Sequence, residues 1–437
     1  NINILLFLVL LGILVALITK SGASKAYGEW ASRKITSQRG ALFASMFLGI
    51  LIFVDDYFNC LTVGTVMRPV TDKHKITRAK LSYIIDATAA PVCIIAPISS
   101  WAAAVGSSLP EDSGVDGFSL FLRTIPFNLY ALLTILFMIV LIAKNVDYGA
   151  MASYHARIAG GKEETVGGEE EISITGNGKV VDLVLPILVL IVLCISGMLY
   201  TGGILEGAGI QEAFANCNSS LSLVLGSFFT LVFVFIFYLP RKIVTFKEFC
   251  ESFVQGFKAM TPAIMILCLA WTLSGVCSGE YLDIGSFVGN LVGGNAFIGA
   301  LLPALFFAVA VGLSFATGTS WGTFGIMIPI VLAVIGTGDI GILALNVAAV
   351  LAGAVCGDHI SPISDTTILA SAGAQCNHIN HVSTQIPYAM TVAACCLAGY
   401  LAGGIAGNGW VALAAGLILE VAVLAFILRR RGQAAAK

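Results

Sequence analysis

Charge is what this sequence has least of. Only 11% of its 437 residues are Asp, Glu, Lys or Arg, against 58% hydrophobic. A water-soluble chain of that length has too little polar surface to cover such an interior. The 11 cysteines include no C-x-x-C pair, although Cys395 and Cys396 are adjacent, which argues against a zinc or disulfide framework. They read instead as small packing residues. No basic cluster of the kind that grips nucleic acid occurs, and a net charge of −2 points to no particular partner. Neither a paired His/Glu metal motif nor a nucleophile elbow is present, so an enzyme is not expected and no cofactor is implied. A signal peptide is also missing: the sequence opens at Asn1 inside an apolar segment, with no basic start and no small-residue cleavage site. Further N-terminal sequence is expected ahead of it.

What the sequence has instead is long apolar runs. A run of about 17–25 residues crosses a bilayer core of about 30 Å. Single crossings are expected at 3–19, 79–106, 118–143, 181–200, 221–239, 256–277, 345–372, 383–403 and 409–428. Two further apolar regions, 40–68 and 297–330, behave differently. The chain is an all-α, multi-pass membrane protein on this reading.

Short stretches also recur. G-A-L-F at 40–43 returns as G-A-L-L at 299–302, A-P-I-S-S at 96–100 as S-P-I-S-D at 361–365, and T-I-P-F at 124–127 as Q-I-P-Y at 385–388. The offsets are 259, 265 and 261 residues, in the same order. Duplication in a polytopic chain marks secondary transporters, whose sites lie between repeats near the bilayer midplane.

Basic residues orient the copies. The segment 20–39 carries Lys20, Lys25, Arg33, Lys34 and Arg39, and 68–80 carries Arg68, Lys73, Lys75, Arg78 and Lys80. Both belong on the cytoplasmic side. One crossing between them would place one outside, so 40–68 is expected to be a re-entrant hairpin, with its turn at Val54–Asn59. Treating 297–330 as a second hairpin puts all of the 23 basic residues except Arg123 on one side. Five crossings then separate the hairpins, which inverts the copies. The expected organisation is a first repeat over 1–143 and a cytoplasmic loop with two connector helices over 144–255. A second repeat over 256–403 and a final helix with a basic tail over 404–437 follow. The loop 144–180, with its G-G-K-E-E-T-V-G-G-E-E-E run, reads as solvated and mobile. Segments 23–38 and 283–294 are candidates to lie along the membrane surface. Arg123 fits either an anion-drawing vestibule or a snorkelling side chain.

Four polar breaks interrupt the apolar runs. Backbone that leaves the helix inside a membrane survives only where protein or water satisfies it. The first break, Asp55–Asn59, offers Asp55, Asp56 and Asn59. One Asp near a helix centre costs about 2.5–3.5 kcal/mol to insert, so two adjacent ones suggest a bound cation, or one shared proton in its absence. An N-cap on the second hairpin arm is the alternative for either Asp. The second break, Ser314–Thr323, offers Thr317, Thr319, Ser320 and Thr323 and no charge. The third, Cys93–Trp101, follows Pro91 and contains Pro97, Ser99 and Ser100. The fourth, Gly357–Thr367, holds Asp358, His359, Ser361, Ser364, Asp365, Thr366 and Thr367, the last three reading as the start of a half-helix. His359 and Asp86 are candidate proton relays. A helix-surface Asp facing a hydroxyl is the alternative for Asp86, and His378 and His381 read as interfacial.

G-T-S-W-G-T-F-G at 318–325, followed by G-D-H-I-S-P-I-S-D-T-T-I-L-A-S at 357–371, resembles the NhaC-type sodium/proton antiporters. The resemblance implies the ion-transporter superfamily, with inverted repeats, two re-entrant hairpins, two broken transmembrane helices and an elevator movement. It implies a homodimer in the cytoplasmic membrane, with sodium as coupling ion or substrate. By motif it assigns site roles to Gly357, Asp358, Ser361, Pro362, Ser364, Asp365, Thr366, Thr367, Thr319, Ser320 and Trp321. Sodium is expected on Asp365, Thr366 and Asp56. Some members exchange sodium with organic acids, and others are linked to amino acids or amines.

Two functions remain open from the sequence. One is exchange of sodium for protons on the carboxylates. The other is sodium- or proton-coupled movement of a small carboxylate or amino acid. Membrane lipid, sodium, protons and such a solute are the expected partners. A channel fits poorly with two oppositely directed hairpins.

Overall fold

The computed structural model describes residues 2–109, 114–160, 176–207, 209, 213, 217–277, 281–282 and 296–435. The described residues contain helices and no strand. They divide into two compact units, Asn1–Lys34 with Glu170–Ile266, and Ile35–Glu169 with Leu267–Lys437. This division follows packing, and it groups the first two helices with the middle of the chain rather than with residues 35–143.

In the first unit, α1 (Ile2–Lys20) and α2 (Ala23–Lys34) pack with α11 (Val180–Thr201) and α12 (Ser219–Tyr238), and the start of α13 (Phe246–Cys277) joins them. Two of its buried charges are paired. Lys20 reaches Glu251 at 3.2 Å. Arg241 bonds the fully buried Asp182, whose carbonyl accepts from the Tyr238 hydroxyl. An Asp in apolar surroundings persists when it is charge-matched in this way.

The second unit begins with α3 (Gln38–Leu51) and α4 (Asp56–Lys73), then α5 (Arg78–Thr88), α6 (Ala90–Cys93) and α7 (Ser100–Ser107). Next come α8 (Gly117–Thr124), α9 (Leu129–Lys144) and α10 (Gly149–Ala159). After the first unit's segment follow α14 (Ala296–Thr317), α15 (Ser320–Ile335), α16 (Ile340–Ile360), α17 (Asp365–Ala374), α18 (His378–Ala406) and α19 (Gly409–Ala435). The axis of this unit is α16, buried without interruption from Leu343 to His359. Its Ala-, Val- and Gly-rich surface lets α14, α15, α9 and α18 approach it. A second close approach joins α4 to α17: a Cβ on Gly64 would lie 2.3 Å from the Gly373 carbonyl carbon.

Helix starts follow local chemistry. Ser37, Thr77, Ser99, Asn128, Thr319, Asp339, Ser364 and Asn377 each accept a backbone N–H of the first turn of the helix they precede. Among the described residues, seven helical runs are long and apolar enough to cross a membrane, beginning at Leu129, Val180, Ser220, Ile298, Ile340, His378 and Gly409. The α1–α2 pair, bent by 53°, makes an eighth.

Several expectations need correction. The turn of the first hairpin is Ile52–Asp55, not Val54–Asn59, because Asp56 already opens α4. The second break shrinks from ten residues to Gly318 and Thr319, since Ser314–Thr317 stay in α14 and the Thr319 cap starts α15 at once. The span 79–106 is three short helices, with a bend at Ala89 as well as the break at 94–99. The span 118–143 is divided by a 3-10 turn at Ile125–Phe127, around Pro126. The loop 144–180 is not wholly solvated: α10 lies within it, with Met151 and Tyr154 buried. The surface segment expected at 283–294 and the acidic run at 161–175 lie outside the described residues.

Candidate functional site

Three helices start at one place. A narrow pocket enclosing about 150 Å³ of space between atoms is lined by Asp56, Tyr57, Thr319, Ser320, Trp321, Asp358, Asp365 and Thr366. Asp56 and Tyr57 are the first two residues of α4, Ser320 and Trp321 of α15, and Asp365 and Thr366 of α17. Asp358 comes from the last turn of α16, and Thr319 is the cap of α15. Each helix start presents unpaired N–H groups and a positive end worth about half an elementary charge. Two of the three starts carry an Asp in the first turn, the sign the macrodipole favours.

The pocket holds three carboxylates and no Lys, Arg or His. Their hydrogen bonds leave a deficit. One Asp358 oxygen accepts from the hydroxyls of Thr366 at 2.9 Å and Ser320 at 3.3 Å. Asp365 accepts from the Tyr57 hydroxyl at 2.8 Å. The other Asp358 oxygen and both oxygens of the fully buried Asp56 receive no hydrogen bond. The Trp101 indole N–H lies toward Asp56 without closing a bond of normal geometry. Three buried acceptor oxygens without donors are costly unless a cation or protons meet them. No group of three or more His, Cys, Asp or Glu side chains that could hold a metal ion occurs among the described residues. A sodium site here therefore has to use hydroxyl and carbonyl oxygens beside the carboxylates. The carboxylate and hydroxyl side chains present are hard oxygen donors and suit sodium better than a softer metal.

Of the residues expected at the site, Asp56, Thr319, Ser320, Asp358, Asp365 and Thr366 line the pocket together. The others do not line it. Asp55 is buried in the break before α4, and its carbonyl accepts from the Asn59 N–H. The Asn59 amide nitrogen donates to the carbonyls of Gly49, Ile52 and Thr88, binding the ends of α3 and α5. Ser99 caps α7 and donates to the Cys93 and Ala96 carbonyls. The Ser100 N–H donates to the Val54 carbonyl at 2.9 Å, joining the first and third breaks. Thr317 is exposed and bonds Leu313 of its own helix. The Thr323 hydroxyl donates to the Thr319 carbonyl. Ser361 donates to the Phe315 carbonyl, and Ser364 caps α17.

Thr367 links the pocket to a second buried centre. Its hydroxyl lies 3.3 Å from the Asp358 carbonyl and 3.2 Å from the Asp86 carboxylate. The same Asp86 oxygen accepts from the Gln385 amide at 2.6 Å and lies 3.3 Å from His381 Nε2. His359 Nε2 is 3.9 Å from the other Asp86 oxygen, and His359 Nδ1 faces the Tyr130 hydroxyl at 3.1 Å. Asp86 and His359 thus lie side by side. His381, read as interfacial from the sequence, is fully buried against Asp86. Tyr57, Gln385 and His381 escaped the sequence reading as site residues. The i, i+4 spacing of His381 and Gln385, aligned on one helix face, was the available signal.

A family model for the Na+/H+ antiporter family matches residues 92–405. The chain belongs to this family. The matched region contains Asp358, Asp365 and the start of α15, whereas Asp56 lies before it. An uncharacterized protein of Haemophilus influenzae is 40% identical over 443 residues, covering 99% of this chain and 84% of its own length. A malate-2H+/Na+-lactate antiporter of Bacillus subtilis is 28% identical over 177 residues, 37% of this chain and 34% of that protein. Among solved structures, MtrF of Neisseria gonorrhoeae, described as representing a class of antimetabolite efflux pumps, superimposes with a TM-score of 0.55. It is 14% identical and the match covers 95% of this chain and 80% of MtrF, a likeness of fold. The transporter is thus a multi-pass membrane protein of a secondary-transport family, not an enzyme.

Proposed function

We propose that the transporter exchanges sodium for protons across the cytoplasmic membrane by alternating access. Asp56, Asp358, Asp365 and Thr366 hold the cation. One observation carries this reading: Asp56 and Asp358 leave three buried oxygens unmet in a pocket with a third carboxylate and no basic side chain. A sodium ion or protons can meet that deficit, and occupancy by one opposes the other. This is the competition that exchange requires. The helix-break-helix pairs α3–α4 and α14–α15 act as the two re-entrant hairpins, and α5–α7 and α16–α17 as the two broken crossings of inverted repeats. An elevator movement of a homodimer completes the proposal.

The test is flux in proteoliposomes with no organic solute present. Sodium moved down its gradient should drive proton movement in the opposite direction. Absence of that proton movement, with flux restored by an organic acid or amine, would sink simple exchange.

A second reading, coupled transport of a small organic acid, is supported by the name of the Bacillus subtilis relative. The pocket weighs against it in this conformation. Sites for organic ligands generally span about 300–1,000 Å³, whereas this pocket leaves no room even for a water-sized sphere. A thermal-shift screen of sodium against potassium, then of organic acids, separates the two, because only a ligand of the folded state raises its stability.

A further inference from the structure

The transporter's second unit contains a cavity of about 560 Å³ whose polar lining includes Lys75, Thr77, Lys80, Asn145, Asp147 and His155. These residues lie in the basic segments 68–80 and 144–160, which the charge distribution places on the cytoplasmic side. Lys80 is only 3% exposed and pairs with Asp147. The same carboxylate accepts from the Tyr388 hydroxyl, and its other oxygen lies 3.2 Å from His155 Nδ1. His155 Nε2 is 2.7 Å from the Thr77 hydroxyl.

This cluster is one end of a file. On α5, Lys80, Tyr83 and Asp86 recur every three residues, and on α18, His381, Gln385 and Tyr388 recur at four and three. Both spacings keep one helix face. The two faces meet in antiparallel order. Asp86 contacts His381 and Gln385, the Tyr83 and Tyr388 rings meet edge-on at 4.9 Å, and Tyr388 reaches the Lys80–Asp147 pair. A structural tie between two helices needs one polar bridge. A polar side chain at each successive turn, in a protein with few charges, has a larger cost and calls for a use.

Resting on the exchange reading above, we propose that His155 and Asp147 form the port through which the buried Asp86 cluster exchanges protons with the cytoplasm. Imidazole is the side chain suited to this, because it changes charge between pH 5 and 8. His155 takes a proton from cavity water and Asp147 holds the resulting cation, beside the Tyr388 hydroxyl at the head of the file that ends at Asp86. Release runs the same steps in reverse. The groups facing His155 are Asp147 and, around the cavity or through Asp147, Lys75, Lys80 and Tyr388. Tyr154 and Arg157 share its helix, and Tyr148 lies before it.

The experiment is exchange by oriented protein in proteoliposomes, with pH varied on the cytoplasmic face alone. His155→Gln keeps a donor and an acceptor but cannot titrate. It should lose the imidazole step of the cytoplasmic pH profile, with a rate loss of at least about fivefold where the wild type depends most on pH. Half-saturating sodium should stay unchanged, since His155 lies outside the ion pocket. Tyr388→Phe keeps the ring contact and should give the same loss. A uniform drop at every pH, in step with lowered thermal stability, would mean a structural tie and overturn the port. Unaltered profiles in both variants would overturn it equally. A wild type without sodium-driven proton flux is a different result, and removes the exchange reading together with the port.

Discussion

Tyr57 donates its hydroxyl hydrogen to Asp365 at 2.8 Å, joining the first turn of α4 to the first turn of α17. This bond occupies one oxygen of a carboxylate that the proposed cation needs. Removing the phenol frees that oxygen for the proposed cation. Tyr57→Phe should tighten sodium binding by roughly fivefold, given about 1.5–3 kcal/mol for a hydrogen bond to a charged group less its replacement by water. Titration of apparent sodium affinity by thermal shift checks this. A weakened affinity would assign Tyr57 to sodium coordination instead.

Asp358→Asn and Asp56→Asn should each abolish the sodium-dependent rise in melting temperature. Saturating wild type at a hundred times its dissociation constant stabilises it by about 2.7 kcal/mol, a readily measured shift. Without sodium, both variants should be as stable as wild type or more so, because an unmet buried carboxylate is replaced by a neutral amide. Wild-type sodium response in either variant would remove that residue from the ion site.

Gly318 adopts φ +69°, and a Cβ there would lie 2.5 Å from the Ile363 carbonyl oxygen. Gly318→Ala adds about 1–2 kcal/mol of left-handed strain to that clash. The clash presses the α14–α15 turn against the break before α17, so both stability and sodium affinity should fall. Circular dichroism melts with and without sodium measure the two effects. Loss of stability with intact affinity would mean that the two breaks do not share the site.

Gln385→Leu removes the shortest donor to Asp86 and leaves that carboxylate with His381 and Thr367. A destabilisation of about 1–3 kcal/mol is expected. Gln385→Glu should cost more, because it sets a second acid against Asp86. Chemical denaturation in detergent gives the order, and a reversed order would show that Gln385 does not serve Asp86.

Much of this architecture was visible in the sequence because membranes make polar residues conspicuous. Asp56, Asp358, Asp365 and the Thr319–Ser320 pair stood out in long apolar runs, and they line one pocket. The extent of the breaks was less visible. Ser and Thr read as loop formers, yet Thr319 and Ser364 act as caps and end each break abruptly. Asn59 braces three carbonyls through its amide nitrogen while its oxygen stays unpaired, because sequence gives no account of which carbonyls a side-chain amide will find. Tyr57 carried no signal, since a tyrosine beside two aspartates is equally an ordinary packing residue. The helix α10 was hidden because its polar flanks outweigh its two buried side chains, Met151 and Tyr154.

The three helix starts around the pocket divide labour between main chain and side chain. The electropositive contribution comes from peptide groups, which no substitution deletes. The negative contribution comes from Asp56, Asp358 and Asp365, each one codon from a neutral residue. A fold organised this way can be retuned from binding a bare cation to accepting an anionic guest by trimming acids alone, with the scaffold left standing.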